Sequence, residues 1–565
     1  MDKPRGVTRI LVDHFFRRFF DNDTVQPEGD TQTTVVRAVS FVAVPGLMVA
    51  FFLINQYPYL PPRPLWATIA DHYFFVMFSF VAMGGAAIFE WEMLFPDRLD
   101  FLVLSPLPIQ PLQMLGAKAA ALVGFLGLFL VGANVFGTVL LPLVSKGTTL
   151  LPRVTLGQIL RQMVAHGLAA GMAGVFAALF FLALGGVLLC VLGAAQFRLV
   201  SPIVQMVSVM ALVLLVLFFP WFGMSMHGWL TEPLGRARWV PPLWFLGVYE
   251  RLLWGDAAPA FAGTMARYAV RGTAAAAAVV LVTYPLAWAR MRRLAVEGGS
   301  RRRSEPSRWL AAMVHWVVRR PGERAVFHFI GQTIRRNNRY QVYLAIYCGT
   351  GMALALALAV TLRVSRGRVR AELSNDGLHA VMPLLLFWVV AGLRTAFAFP
   401  VSLQAGWIFR ITGVSLAECA AAARKWVLLC ALAAMGGTMA ALAWAGWDAR
   451  RLLVQAVWGL GLCVLLTDGF FFSQKSVPFN QPRMPGKVSF PLMLTLYVGV
   501  FPLFVYEVLE AEMKMERHLE LLLMFGFAVA AIHAAAAVVR QGTEEIEEEM
   551  QGYEGEFQLL GLGER

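Results

Sequence analysis

AHGLAAGMAGVFAALFFLALGGVLLCVL, residues 165–192, runs from end to end with one histidine and no aspartate, glutamate, lysine or arginine. About 20 apolar residues carry a helix across a hydrocarbon core, so this stretch reads as a membrane span. Similar runs recur at approximately 38–55, 67–89, 119–144, 202–222, 269–289, 342–362, 380–400, 426–446, 452–473, 488–508 and 519–539. The bulk numbers agree with lipid as the solvent: 565 residues, 58% hydrophobic and only 15% charged, hold more apolar surface than one soluble core buries. The expectation is an all-α, polytopic integral membrane protein with about twelve transmembrane helices.

Orientation follows from the basic residues. An inside N-terminus puts roughly thirty Lys and Arg on the cytoplasmic side and roughly sixteen outside, which satisfies the positive-inside rule. The loop from Arg290 to Tyr340 carries most of that bias, and RVSRGRVR at 363–370, an outside loop, opposes it. The N-terminus, MDKPRGVTRILVDHFF, shows no cleavable signal pattern, so the first span is expected to direct insertion.

Two segments are amphipathic. On a helical wheel, LVDHFFRRFFD at 11–21 puts Leu11, Val12, Phe15, Phe16, Phe19 and Phe20 on one face, with Asp13, His14, Arg17, Arg18 and Asp21 opposite. That suits a helix of about 7–21 lying in the membrane interface. AVFHFIGQTIRRNNRYQ at 325–341 repeats the pattern before the seventh span. The chain therefore divides into two six-helix halves, 1–290 and 325–540, joined by a basic linker at 291–324 and followed by an acidic tail at 541–565.

Several chemistries find no support. There is no G-x-x-x-x-G-K-[ST] phosphate loop, the nearest string being RMPGKVSF, and neither H-E-x-x-H nor G-x-S-x-G occurs. The expectation is a chain without catalytic residues or bound metal. Cys190, Cys348, Cys419, Cys430 and Cys463 stand singly in or beside apolar runs and read as packing residues. Arg394 and Asp468 fall within spans, where an isolated charge costs at least about 2.5 kcal/mol, so they are expected to pair. Asp71 and His72, near the outer mouth of the second span, are assigned no role.

The short connections concentrate unusual residues. FEWEMLFPDRLDFLVLSPLPIQPLQMLGAK at 89–118 carries Glu90, Trp91, Glu92, Pro96, Asp97, Arg98 and Asp100, the acids facing water and the prolines stiffening the chain. Trp407 and Arg410 mark the corresponding connection in the second half, and Pro478, Phe479, Pro485, Gly486 and Lys487 another at 473–490. They read either as solvated turns with interfacial tryptophans or as a cytoplasmic docking surface for a partner that drives the helices.

These strings, with PPLWFLGVYERLL at 241–253, AGWIFRITG at 405–413, VPFNQPRMPGK at 477–487 and the ending FQLLGLGER, resemble the permease subunits of bacterial ATP-binding-cassette exporters of the second class, in the long form that fuses two six-helix units. The resemblance spans about 11–565 and implies a translocation path in the bacterial inner membrane, with both termini cytoplasmic. It also implies separate ABC ATPase subunits, two copies, docked on the connections above, with ATP and Mg bound by them and no cofactor in this chain. No nucleic-acid partner is expected. The Gly- and Ala-rich stretch 411–423 departs from the pattern and makes equal coupling by the two halves an open point. Two other classes stand beside this one: a twelve-helix ion-coupled carrier, and a membrane enzyme or scaffold built from polar groups converging at one depth.

Overall fold

The computed structural model describes residues 6–20, 31–54, 56–57, 64–91, 104, 106–146, 155–192, 194–231, 237–297, 315–365, 368–398, 411–472, 478–479 and 490–554. Along the chain run α1 (Val7–Phe20), α2 (Thr31–Ile54), α3 (Leu65–Glu90), α4 (Pro111–Lys146), α5 (Leu156–Val191), α6 (Ala194–Leu217), α7 (Phe219–Thr231), α8 (Pro241–Trp254), α9 (Ala260–Glu297), α10 (Pro321–Arg336) and α11 (Asn338–Ala359). A hairpin follows, β1 (Val360–Ser365) and β2 (Arg368–Leu373). Then come α12 (Asn375–Ala398), α13 (Leu416–Trp444), α14 (Ala449–Phe470), α15 (Phe490–Arg517) and α16 (Glu520–Glu554).

Local chemistry sets these limits. Ser415 Oγ accepts the Glu418 amide at 3.2 Å and starts α13, and Asp448 Oδ1 accepts the Arg451 amide at 3.4 Å to start α14. Pro241 and Pro242 open α8, and Gly255, at φ +61°, closes it in a conformation that glycine adopts without strain.

Ten helices, α3, α4, α5, α6, α9, α11, α12, α13, α14 and α16, are long and apolar enough among the described residues to cross a membrane. The architecture is an all-α, polytopic one. The remaining two expected spans fall on α2, whose apolar run is Ala38–Ile54, and on α15. Three expectations need correction. Residues 111–118 are the first turns of α4 and not connection, because Leu, Met, Gln, Ala and Lys are good helix formers whether or not they are apolar. For the same reason α9 runs to Glu297, into the expected linker, while 298–314 lie outside the described residues. Residues 363–365 and 368–370 of the expected outside loop are strand: VTLRVS and RVRAEL alternate apolar and polar residues with strand period, and Ser374 N–H donates to Ala359 O at 2.8 Å just beyond the strands.

The chain forms two compact units, Met1–Arg302 with Leu362–Ala371, and Arg303–Thr361 with Glu372–Arg565. In the first, α3 is central, with 61% of its apolar window buried. Small residues let its neighbours approach: a Cβ on Gly174 of α5 would stand 2.5 Å from Leu130 and 2.8 Å from Met83 and Ser79. Ser79 donates to Ala170 O at 2.7 Å and accepts from Asn134 at 2.9 Å, tying α3, α4 and α5 together. Arg290 of α9 donates to the Cys190 carbonyl at 2.8 Å and so caps the C-terminal end of α5. In the second unit α12 is central, with 67% of its window buried, and meets α11 through two reciprocal notches. Trp388 fills the space over Gly351, and Tyr347 the space over Gly392.

Candidate functional site

Each amphipathic segment forms a helix, and each lays its apolar face on protein. Leu11, Phe15 and Phe19 of α1 are buried against α4, where Phe19 stacks on Phe125 with centroids 5.0 Å apart and Lys118 Nζ stands 5.1 Å from the Phe15 ring. The opposite face carries the exposed Asp13–Arg17 pair at 3.0 Å. In the second unit α10 buries Val326, Phe327, Ile330 and Ile334 against a cluster that includes Val427 and Ala423 of α13. Lys425 of α13 pairs with the buried Glu323 of α10, and the Glu418 carboxylate lies so close to Gly322 that any side chain there would collide with it. An acid at this place faces the positive end of the α10 dipole. So in both units an amphipathic helix rests on a membrane-length helix beside a lysine, Lys118 or Lys425.

Of the residues expected to dock a partner, Glu92, Pro96, Asp97, Arg98, Asp100, Trp407, Arg410, Pro485, Gly486 and Lys487 lie outside the described residues. The other four are buried. Glu90 does not face water as expected: it is 2% exposed, because α3 continues to residue 90 and packs along α5 and α6. Trp91 lies flat against Gly185, where a Cβ would be 3.1 Å from the ring, and its carbonyl accepts the Tyr284 hydroxyl at 3.3 Å. Pro478 and Phe479 are likewise inside the second unit. Phe479 adopts φ +64°, at a cost of about 1–2 kcal/mol for a residue with a Cβ. Its amide donates to Phe397 O at 3.2 Å, and its ring packs on Tyr340 and Phe397 at 4.8 and 4.9 Å. These four residues are packed inside their units.

The expected Arg394–Asp468 pair is replaced by another. Asp468 of α14 accepts Arg540 Nη1 at 2.8 Å and stands 2.5 Å from His533 Nδ1, both on α16. Arg394 lies over the Phe471 ring at 5.7 Å. Arg540 sits just past the apolar run expected to end at 539, so hydropathy alone gave no reason to bring it into the bundle.

Sequence reasoning gave His72 no role and did not see that it belongs to one of two buried polar clusters. In the first unit His72 of α3 places Nδ1 2.7 Å from Glu250 Oε1 of α8, the two side chains 2% and 1% exposed. Trp254 Nε1 donates to the other Glu250 oxygen at 3.0 Å. The His72 ring lies on that of Tyr249, centroids 4.2 Å apart, and His166 and Gln162 of α5 reach the Tyr249 hydroxyl, His166 at 3.4 Å. Burial holds the Tyr249 phenol protonated well above its ordinary range. In the second unit His379 Nδ1 of α12 pairs with Glu512 Oε1 of α15, and Gln455 Nε2 of α14 donates to that same oxygen. His379 Nε2 stands 3.5 Å from Glu516, which also binds Arg451 at 3.1 Å.

No protein-family model, curated protein or solved structure matches this chain. Among the described residues, no group of three or more His, Cys, Asp or Glu side chains is placed to hold a metal ion.

Proposed function

We propose that this chain is the membrane-spanning permease subunit of an ATP-binding-cassette exporter of the inner membrane, built as two six-helix halves with an inside N-terminus and worked by two copies of a separate cytoplasmic ATPase. The observation that carries the reading is the recurrence of one construction. An amphipathic helix precedes the membrane helices of each unit and is fixed, by apolar packing and beside a lysine, to the third of them, α4 or α13. A helix so held moves with the membrane helix it lies on, as a lever between a soluble motor and the bundle requires. The sequence resemblance adds the partner: phosphate-loop ATPases bearing on the connections after α3 and α12.

The test is reversal of Glu92, Asp97 and Asp100 to lysine. Charge-assisted contacts are worth roughly 1.5–3 kcal/mol each, so their loss dissociates a modest interface. The triple variant is expected to lose the co-purifying ATPase while the permease keeps its thermal stability. Retention of both ATPase and transport refutes docking at this connection. A second reading, an ion-coupled carrier, is favoured by one observation, the buried His72–Glu250 and His379–Glu512 pairs. Transport in sealed vesicles separates the two, since the exporter stops without ATP and the carrier stops when the proton gradient is collapsed.

A further inference from the structure

The two missed clusters share a plan. In the first unit the histidine is on α3, the second of the membrane helices α2, α3, α4, α5, α6 and α9; in the second it is on α12, second of α11 to α16. Each unit sets a buried glutamine two turns into its fourth helix, Gln162 in α5 and Gln455 in α14. Each draws its glutamate from the segment that leads into the last membrane helix, Glu250 from α8 and Glu512 from the end of α15. The surroundings differ, with His166 and Tyr249 in one unit and Arg451, Glu516 and Trp447 in the other. What recurs is the histidine, the carboxylate and the amide.

We infer that each unit holds a proton-binding site, formed in one by His72 and Glu250, with Gln162 one step away on the Tyr249 hydroxyl, and in the other by His379, Glu512 and Gln455, whose amide touches the carboxylate directly. A pair with one mobile proton is neutral as His/GluH and a compact ion pair as His⁺/Glu⁻, and either form is tolerated in the interior. A second proton gives His⁺/GluH, a net buried charge, which low dielectric penalises and which is relieved by drawing the helices apart and admitting water. Buried polar atoms without a hydrogen-bond partner stand ready for that proton and for the water that follows: among the described residues Glu512 Oε2 and Gln455 Oε1 are acceptors, and His72 Nε2, which carries a proton in both of these forms, is a donor.

A plain tether does not need this chemistry. Where the same chain ties two helices through Asp468, the half-exposed His533 is joined by the buried Arg540, which does not release its proton, so the carboxylate keeps a fixed cation whatever the histidine does. Histidine is the side chain that changes charge near neutrality. The other ionisable groups around His72 are Asp71, which accepts the Tyr57 hydroxyl at 2.8 Å, with His166 and Tyr249. Around His379 they are Glu516 and Arg451, with Asp448 behind Arg451 at 3.8 Å. In the second site a second carboxylate therefore offsets the arginine, and the histidine remains the group on which the balance turns. The inference does not depend on the exporter reading, since either class of transporter can carry such sites.

The experiment is infrared difference spectroscopy of the full-length chain in lipid nanodiscs, between about pH 8 and about pH 5, the range across which histidine changes charge. The unaltered chain is expected to gain a buried protonated-carboxyl band. Glu250→Gln and Glu512→Gln each remove part of it, and the double variant loses it. A band undiminished in the double variant, or absent from the unaltered chain, overturns the inference. Amide exchange of the unaltered chain provides a second reading that needs no folded variant. Corrected for intrinsic rates, protection at the beginnings of α3 and α12 should fall at least several-fold on acidification, and unchanged protection there also overturns it.

Discussion

Asp468 shows how much one side chain decides. It is buried with Arg540, and removal of one partner leaves the other charged inside the bundle, a loss of about 3–5 kcal/mol, whereas replacing both with apolar residues of similar volume is near neutral. Asp468→Leu and Arg540→Met should each lower the unfolding midpoint in detergent sharply, and the double variant should recover most of it. The sequence named Asp468 as a buried charge because its span is otherwise apolar, yet it gave the wrong partner. Pairing depends on which helices touch, and Asp468 and Arg540 are 72 residues apart. The His72–Glu250 contact spans 178 residues, and a single histidine in an apolar helix looks like any other core residue until its neighbour is known.

Elements were more legible than contacts. The apolar and charged faces of residues 11–21 and 325–341 predicted that α1 and α10 exist, α1 closely and α10 with both ends placed too far toward the C-terminus, because helical periodicity is a local property. Their seating was not legible: the apolar face that suited lipid is covered by α4 or α13. Helix lengths were underestimated too. At 1.5 Å per residue, the 36 residues of α4 and of α5 reach roughly 54 Å, well beyond a hydrocarbon core of about 30 Å, and hydropathy marks only the part in lipid. The hairpin was missed because a window tuned to spans ignores alternation with period two. For α10 the seating yields a prediction. Lys425→Ala leaves the buried Glu323 carboxylate without the lysine, a cost of about 1–3 kcal/mol, so amide exchange across 326–334 should rise while the core of α12 is unaffected.

At the scale of the whole molecule, the chain forms two compact units, each with its own core and its own central helix, α3 or α12. If two permease halves are joined in one polypeptide, one copy suffices for two ATPases. Native mass measurement of the purified complex should give one chain to two ATPase copies, and two chains to two copies would contradict the fused-permease proposal. The sites differ in how far they can be read. Composition alone pointed to lipid as the surrounding medium, while Glu90 and Phe479 were read as part of water-facing cytoplasmic connections because their neighbours in sequence are polar or proline-rich. Their burial depends on how far α3, α11 and α12 extend, and that is a property of the assembled bundle.

The tie between α14 and α16 also sets a clock for biosynthesis. At roughly 5–20 residues per second, a ribosome needs roughly 4–14 s to travel from the codon for Asp468 to that for Arg540. During that interval α14 holds an acid whose arginine does not yet exist, in a segment otherwise suited to lateral release into lipid. The newly made helix is then best retained at the insertion machinery, or kept with its carboxyl protonated, until α16 emerges. Slowing translation across the intervening codons should lengthen the exposure of this half-finished bundle to membrane proteases, and ribosome-arrested intermediates ending before residue 540 should be degraded faster than those ending after it.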